Sequence, residues 1–151
     1  SFTTGADDAD IILLNSTNAI GGAVSFISND TNGDNTEVVQ YTGTGTSGVI
    51  LGGSTDTGTL AIVATTGDIT QTGALNVGSS ASFTTSADDA DIILLNSTNA
   101  IGGAVSFISN DTNGDNTEVV QYTGSSTSGA IPGGSTDTGS LAIVAATGEI
   151  L

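Results

Sequence analysis

Ser1-Phe-Thr-Thr-Gly-Ala-Asp-Asp-Ala-Asp10 returns as Ser82-Phe-Thr-Thr-Ser-Ala-Asp-Asp-Ala-Asp91, 81 residues later. Extending outward, residues 1–70 laid on 82–151 differ at nine positions only: 5, 44, 45, 49, 51, 59, 65, 68 and 70 of the first copy. Most of these exchange one small residue for another, such as Gly5 for Ser86 or Thr59 for Ser140. Self-similarity this close marks a repeat architecture. Residues 1–81 form one unit, and 82–151 a second, incomplete copy stacked on it as one continuous solenoid. The pattern reads as a window on a longer array.

The unit divides into shorter turns. From Gly58 run Thr-Leu-Ala-Ile-Val-Ala, then Gly67-Asp-Ile-Thr, then Gly73-Ala-Leu-Asn-Val. Ala81-Ser-Phe-Thr-Thr, Asp91-Ile-Ile-Leu-Leu-Asn, Ala104-Val-Ser-Phe-Ile-Ser and Glu118-Val-Val-Gln-Tyr-Thr follow, then a shorter stretch, Gly129-Ala-Ile-Pro-Gly-Gly with Ser135-Thr-Asp-Thr. Coils of 20, 24, 22 and 15 residues fill the 81-residue unit. Short strands separated by Gly, Asn, Asp and Ser are the pattern of a β-solenoid, here all-β with about four coils per repeat. A two-sheet sandwich also uses short alternating strands, but it does not call for a near-exact duplication with sub-turns of about 20 residues.

Strand side chains alternate between faces, which assigns the core. Ile11, Leu13, Val24, Phe26, Leu60, Ile62, Ala64, Leu75, Val77 and Phe83 are expected inside. Ile12, Leu14, Ile93 and Leu95 then point outward, with Val63, Ile27 and either Val39 or Tyr41. An outward apolar stripe of this kind suggests lateral assembly with other copies or flanking segments; a local reversal at a coil corner is the competing explanation.

Composition narrows the function. The 151 residues contain no Lys, Arg, His or Cys, against 16 Asp plus Glu, so every charged side chain is negative and the formal net charge is −16. Nucleic acid and anionic membrane surfaces are excluded as partners, because both are held by Lys and Arg. Schiff-base and histidine-base catalysis are excluded with them. Acidity alone suggests disorder, but apolar residues are 36% and mean hydropathy is +0.19, above the disordered range. The lack of Cys and Met suits an oxidising exterior. No apolar run approaches the roughly 18 residues of a membrane span, and export would draw on a signal beyond this sequence.

Gly58-Thr-Leu-Ala-Ile-Val-Ala-Thr-Thr-Gly-Asp-Ile-Thr-Gln-Thr-Gly-Ala-Leu-Asn-Val-Gly, then Ala81-Ser-Phe-Thr-Thr, Asp91-Ile-Ile-Leu-Leu-Asn and Asn99-Ala-Ile-Gly-Gly-Ala-Val-Ser-Phe, resembles the repeats of filamentous haemagglutinin-type bacterial surface adhesins. The resemblance spans essentially the whole chain. It implies a right-handed parallel β-helix forming a long shaft at the cell surface, with no catalytic residues in the shaft. The neighbouring Ile12 and Leu14 depart from the Thr, Asp or Asn that such repeats tend to carry outward.

One ligand candidate stands out. Asn29-Asp-Thr-Asn-Gly-Asp-Asn-Thr-Glu37 sets Asp30, Asn32 and Asp34 at alternating positions around Gly33, with Glu37 following; Asp111, Asn113, Asp115 and Glu118 repeat the set. Hard oxygens converging on a tight turn suit calcium, although the spacing is not an EF-hand's and the same residues make a good turn between strands. Ala6-Asp-Asp-Ala-Asp10 is expected to be a solvated turn capping the strand at Ile11. Two carboxylates facing a cleft, as a glycosidase requires, have no support here, and the nonapeptides of calcium-binding rolls are absent. The sequence thus predicts a non-enzymatic, extracellular structural module of a fibre or adhesin shaft. Its partners are copies of itself or adjoining repeats, and host or neighbour-cell surfaces or glycans. No cofactor is required, and calcium is the one candidate. The alternative is a module whose acidic loops grip calcium or a glycan.

Overall fold

The computed structural model describes residues 1–125, 132–136 and 139–150. Among these residues there is no helix, and the strands run β1 (Phe2–Thr3), β2 (Ile11–Leu13), β3 (Val24–Ile27), β4 (Val38–Gly43), β5 (Val49–Thr57), β6 (Thr59–Ala64), β7 (Ile69–Gln71), β8 (Leu75–Val77), β9 (Ala81–Thr85), β10 (Ile92–Leu94), β11 (Ala100–Ile101), β12 (Val105–Ile108), β13 (Val119–Gly124), β14 (Pro132–Thr136) and β15 (Ser140–Ala145). They form two sheets, stacked in the orders β1-β3-β5-β7-β10-β13-β15 and β2-β4-β6-β9-β12-β14. Strand β8 continues the level of β7, and β11 that of β10. The pairings are parallel, and the chain passes from one sheet to the other and back, so each coil contributes one level to each sheet. This is the expected β-solenoid.

Register gives the coil lengths. Phe2 pairs with Phe26, Phe26 with Ser54 and Ser54 with Leu75, giving coils of 24, 28 and 21 residues. Eight residues beyond Leu75 the chain has crossed to the second sheet and reached Phe83, the counterpart of Phe2. The 81-residue repeat therefore spans seven half-coils, not the four coils of 20, 24, 22 and 15 read from sequence. The difference arises at Gly52-Gly53. This turn-like pair sits inside β5, where one extra residue bulges between the Leu51 and Gly53 pairings, so the first-copy counterpart of the 15-residue coil contributes a single strand and not a whole coil. In the second copy, residues 129–131, 137 and 138 of the matching stretch lie outside the described residues.

An odd number of half-coils exchanges the sheets. The segment Val-Ser-Phe-Ile is β3 on the first sheet and β12 on the second; β4 and its copy β13 are exchanged likewise. Whatever one copy presents on one face, the next presents on the opposite face.

The core is a single column between the sheets. Val24, Phe26, Leu60, Ile62, Ala64, Leu75, Val77 and Phe83 are buried as alternation requires. Leu13 is only half-buried because β2 ends its sheet, whereas its counterpart Leu94 is flanked by β7 and β13 and fully buried. Val39 and Tyr41, one of which was expected outside, are both inside. Two residues apart on one strand, they share a face, and Val38 and Gln40 take the outer one. All six aromatic residues fall into two identical trios. Phe2 stacks on Phe26 at 5.8 Å, and Phe26 meets Tyr41 across the core at 5.4 Å. Phe83, Phe107 and Tyr122 repeat the arrangement at 5.9 and 5.7 Å.

Replacing Phe83, fully buried between neighbouring coils, by Ala should destabilise the chain by about 3–5 kcal/mol, read from urea denaturation. Burial also pushes the Tyr122 phenol up from 10.0 to about 12. A raised folded-state value favours the protonated form, so this stabilisation is complete below pH 10 and lost as pH climbs toward 12. Denaturant midpoints should fall across that window, and replacing Tyr122 by Phe should flatten the fall.

Candidate functional site

The corner between β1 and β2 (residues 4–10) and the longer corner between β3 and β4 (residues 28–37) lie one above the other on one edge of the solenoid. Hydrogen bonds tie them together. Asp7 Oδ1 accepts from Thr31 N at 2.8 Å, Asp8 Oδ1 from Thr36 Oγ1 at 2.7 Å, and Asp10 Oδ1 from Val38 N at 2.9 Å. Asp8 and Asn35 adopt left-handed backbone angles, φ 55° and 56°, which their short polar side chains tolerate. The turn expected to cap Ile11 in its own coil instead serves the next coil.

This stacking draws five carboxylates together. Oxygens of Asp7, Asp30 and Glu37 lie within 4.8 Å of one another, and so do oxygens of Asp8, Asp34 and Glu37. Glu37 belongs to both groups. Its side chain is wholly buried, and neither carboxylate oxygen has a hydrogen-bond partner among the described residues. Burial comes from the next coil. The corner there is the single residue Gly58, and Thr59 N donates to Glu37 O at 2.8 Å, closing the site from that side. A Cβ on Gly58 would collide with the Asn35 carbonyl and crowd that of Glu37, so only glycine fits beneath this loop.

The second copy rebuilds the arrangement on the opposite edge, between the β9–β10 and β12–β13 corners. Asp88, Asp111 and Glu118 form one triad, and Asp89, Asp115 and Glu118 the other, again with both Glu118 oxygens buried and unpartnered. Thr112 N donates to Asp88 Oδ1 at 2.8 Å, and that bond holds the Asp88 carboxyl below its ordinary value.

Of the residues singled out in sequence, Asp30, Asp34 and Glu37 converge, as do Asp111, Asp115 and Glu118. Asn32 and Asn113 serve the turns: Asn32 Oδ1 accepts from Asp34 N and its Nδ2 donates to Asp34 Oδ2, while Asn113 Oδ1 accepts from Asp115 N. Asp7, Asp8, Asp88 and Asp89 were missed as members of the cluster. The available signal was their separation of 22–27 residues from Asp30 and Asp34, close to one coil.

Ile12 and Ile93 obey plain strand alternation, without a corner reversal, and Leu14 and Leu95 stand one residue beyond the strand ends. Ile12, Leu14 and Leu95 are exposed and Ile93 half-buried. In register, Ile12 lies beside Gln40, and Ile93 between Thr70 and Gln121, so polar neighbours interrupt the apolar row.

Residues 36–108 match a family described as repeats of unknown function (DUF5649). No curated protein and no solved structure matches the chain.

Replacing Gly58 by Ala should destabilise the chain by about 1–3 kcal/mol through overpacking against backbone. Gly5, with nothing within 4 Å of its Cβ position, should accept Ser without measurable loss. Paired urea titrations of the two variants check both outcomes.

Proposed function

We propose that the chain is a structural module of a long extracellular rod, a fibre or adhesin shaft in which repeats follow one another along a single axis. The observation that carries this reading is the junction between the copies. Across it, β6 pairs with β9 and β7 with β10 in unbroken register, Leu60 beside Ala81, Ile62 beside Phe83 and Ile69 beside Ile92. Those six side chains are buried as completely as any within a copy. A joint indistinguishable from the interior of a repeat lets the same step recur, and length then grows without new kinds of contact.

Composition supports the same reading. A surface with only negative charge resists non-specific association with other acidic surfaces, and a chain without Lys or Arg offers no cleavage site to basic-specific proteases. The resemblance to haemagglutinin-type shafts supports the cell-surface setting, where partners are adjoining repeats and neighbouring surfaces or glycans. The mechanism is mechanical. Ladder hydrogen bonds lie along the rod axis and share axial load among two sheets.

Arrays of two, four and eight repeats, measured by small-angle X-ray scattering, should lengthen by about 17 Å per repeat at constant cross-section, three and a half coils at about 4.8 Å each. A maximum dimension that grows only as a compact globule's, or a cross-section that widens with repeat number, would contradict the rod.

A further inference from the structure

Sixteen negative charges and no cationic side chain leave this protein without an internal counter-charge. For exposed carboxylates, water suffices. Glu37 and Glu118 are shut away from solvent: each is 0% exposed, and among the described residues no donor reaches either oxygen of either carboxylate. Burying an ionised carboxylate without a partner is strongly unfavourable. Folding nevertheless aims each one at four aspartates, which raises the repulsion further. An arrangement so costly in isolation becomes favourable when positive charge occupies its centre.

We infer that each complete acidic corner binds two calcium-class divalent cations bridged by the buried glutamate. One ion lies among Asp7, Asp30 and Glu37, the other among Asp8, Asp34 and Glu37; Asp88, Asp111 and Glu118 with Asp89, Asp115 and Glu118 hold the second pair. The donor chemistry selects the class. Only oxygen donors are present, since the chain has no His or Cys, which favours hard cations over zinc, copper or nickel. Oxygens that all lie within 4.8 Å of one another can reach a single ion whose ligands sit at about 2.3–2.6 Å, as calcium's do. Magnesium demands a tighter octahedron, at about 2.0–2.1 Å. Five carboxylates carry five negative charges, and two divalent ions neutralise four of them.

The ions act between coils. Asp7 and Asp8 come from one coil, and Asp30, Asp34 and Glu37 from the next. Each pair therefore fastens two coils at a long corner, where the backbone ladder is interrupted. Because copies exchange faces, the fastenings alternate between the two edges of the solenoid. The inference depends on the site's geometry and not on the shaft reading, so either can fail alone.

Isothermal calorimetry, native mass spectrometry and thermal melts of the whole chain, in calcium and in chelator, test it. Four calcium ions per chain and a raised melting temperature are expected. The double variant Glu37→Gln, Glu118→Gln should lose the calcium-induced rise and weaken binding at least about tenfold, while melting in chelator at or above the unsubstituted chain, because a neutral amide relieves the buried charge. The second double variant, Asp8→Asn and Asp89→Asn, alters exposed side chains only and should halve the stoichiometry. No heat and no thermal shift at millimolar calcium would overturn the inference. So would a stoichiometry of two for the unsubstituted chain, or binding that survives both glutamine substitutions, the mark of diffuse attraction to a polyanion.

Discussion

Parallel backbone hydrogen bonding between successive coils is the constraint on which everything else depends. A parallel ladder fixes how many residues separate vertical neighbours, and along the row Phe2, Phe26, Ser54 and Leu75 those separations are 24, 28 and 21. The bonds continue around the corners. Ser79 N donates to Gly58 O and Gly103 N to Ser79 O, at 2.7 and 2.6 Å, so even one-residue turns remain in the stack. Side chains are then locked into vertical rows, which converts sequence repetition into spatial repetition. The aromatic trios and the acidic corners are both rows of this kind.

The acidic corners show how the ladder overrides local electrostatic preference. Nothing in Ala6–Asp10 alone favours contact with Asp30, Asp34 or Glu37, and like charges repel. Coil stacking brings them together because Asp7 and Asp8 point their carboxylates at Thr31 and Thr36 of the next coil, while Gly58 lets the following coil close over Glu37. A fold driven only by separating charges would have placed Glu37 in water. Its burial, repeated at Glu118 on the other edge, ties the corner to a counter-ion more directly than the count of acids does.

Much of this was legible in the sequence. The 81-residue offset and the alternation in Leu60-Ala-Ile-Val-Ala64 led directly to a solenoid with Leu60, Ile62 and Ala64 inside. The half-coil was not legible, because Gly52-Gly53 has the composition of a turn yet occupies a bulge in β5, and only the pairing of Leu51 and Gly53 with Val24 and Ser25 reveals it. Val39 and Tyr41 stand two residues apart on one strand, so their spacing alone requires a common face. For the site, Asp30, Asp34 and Glu37 were visible as a local cluster. Asp7 and Asp8 were not, since their role is set by vertical register, and a coil length known only to within a few residues does not say which loops touch.

Seven half-coils per repeat is the central claim, because it sets the exchange of faces and the alternation of acidic corners. Electron cryo-microscopy of a long array reads it directly as a helical symmetry. The account predicts a rise of about 17 Å per repeat, coupled to a half-turn about the rod axis to which the sheet twist adds, with acidic corners on alternating edges. A repeat that advances by a whole number of coils, with every acidic corner on one edge, would contradict it.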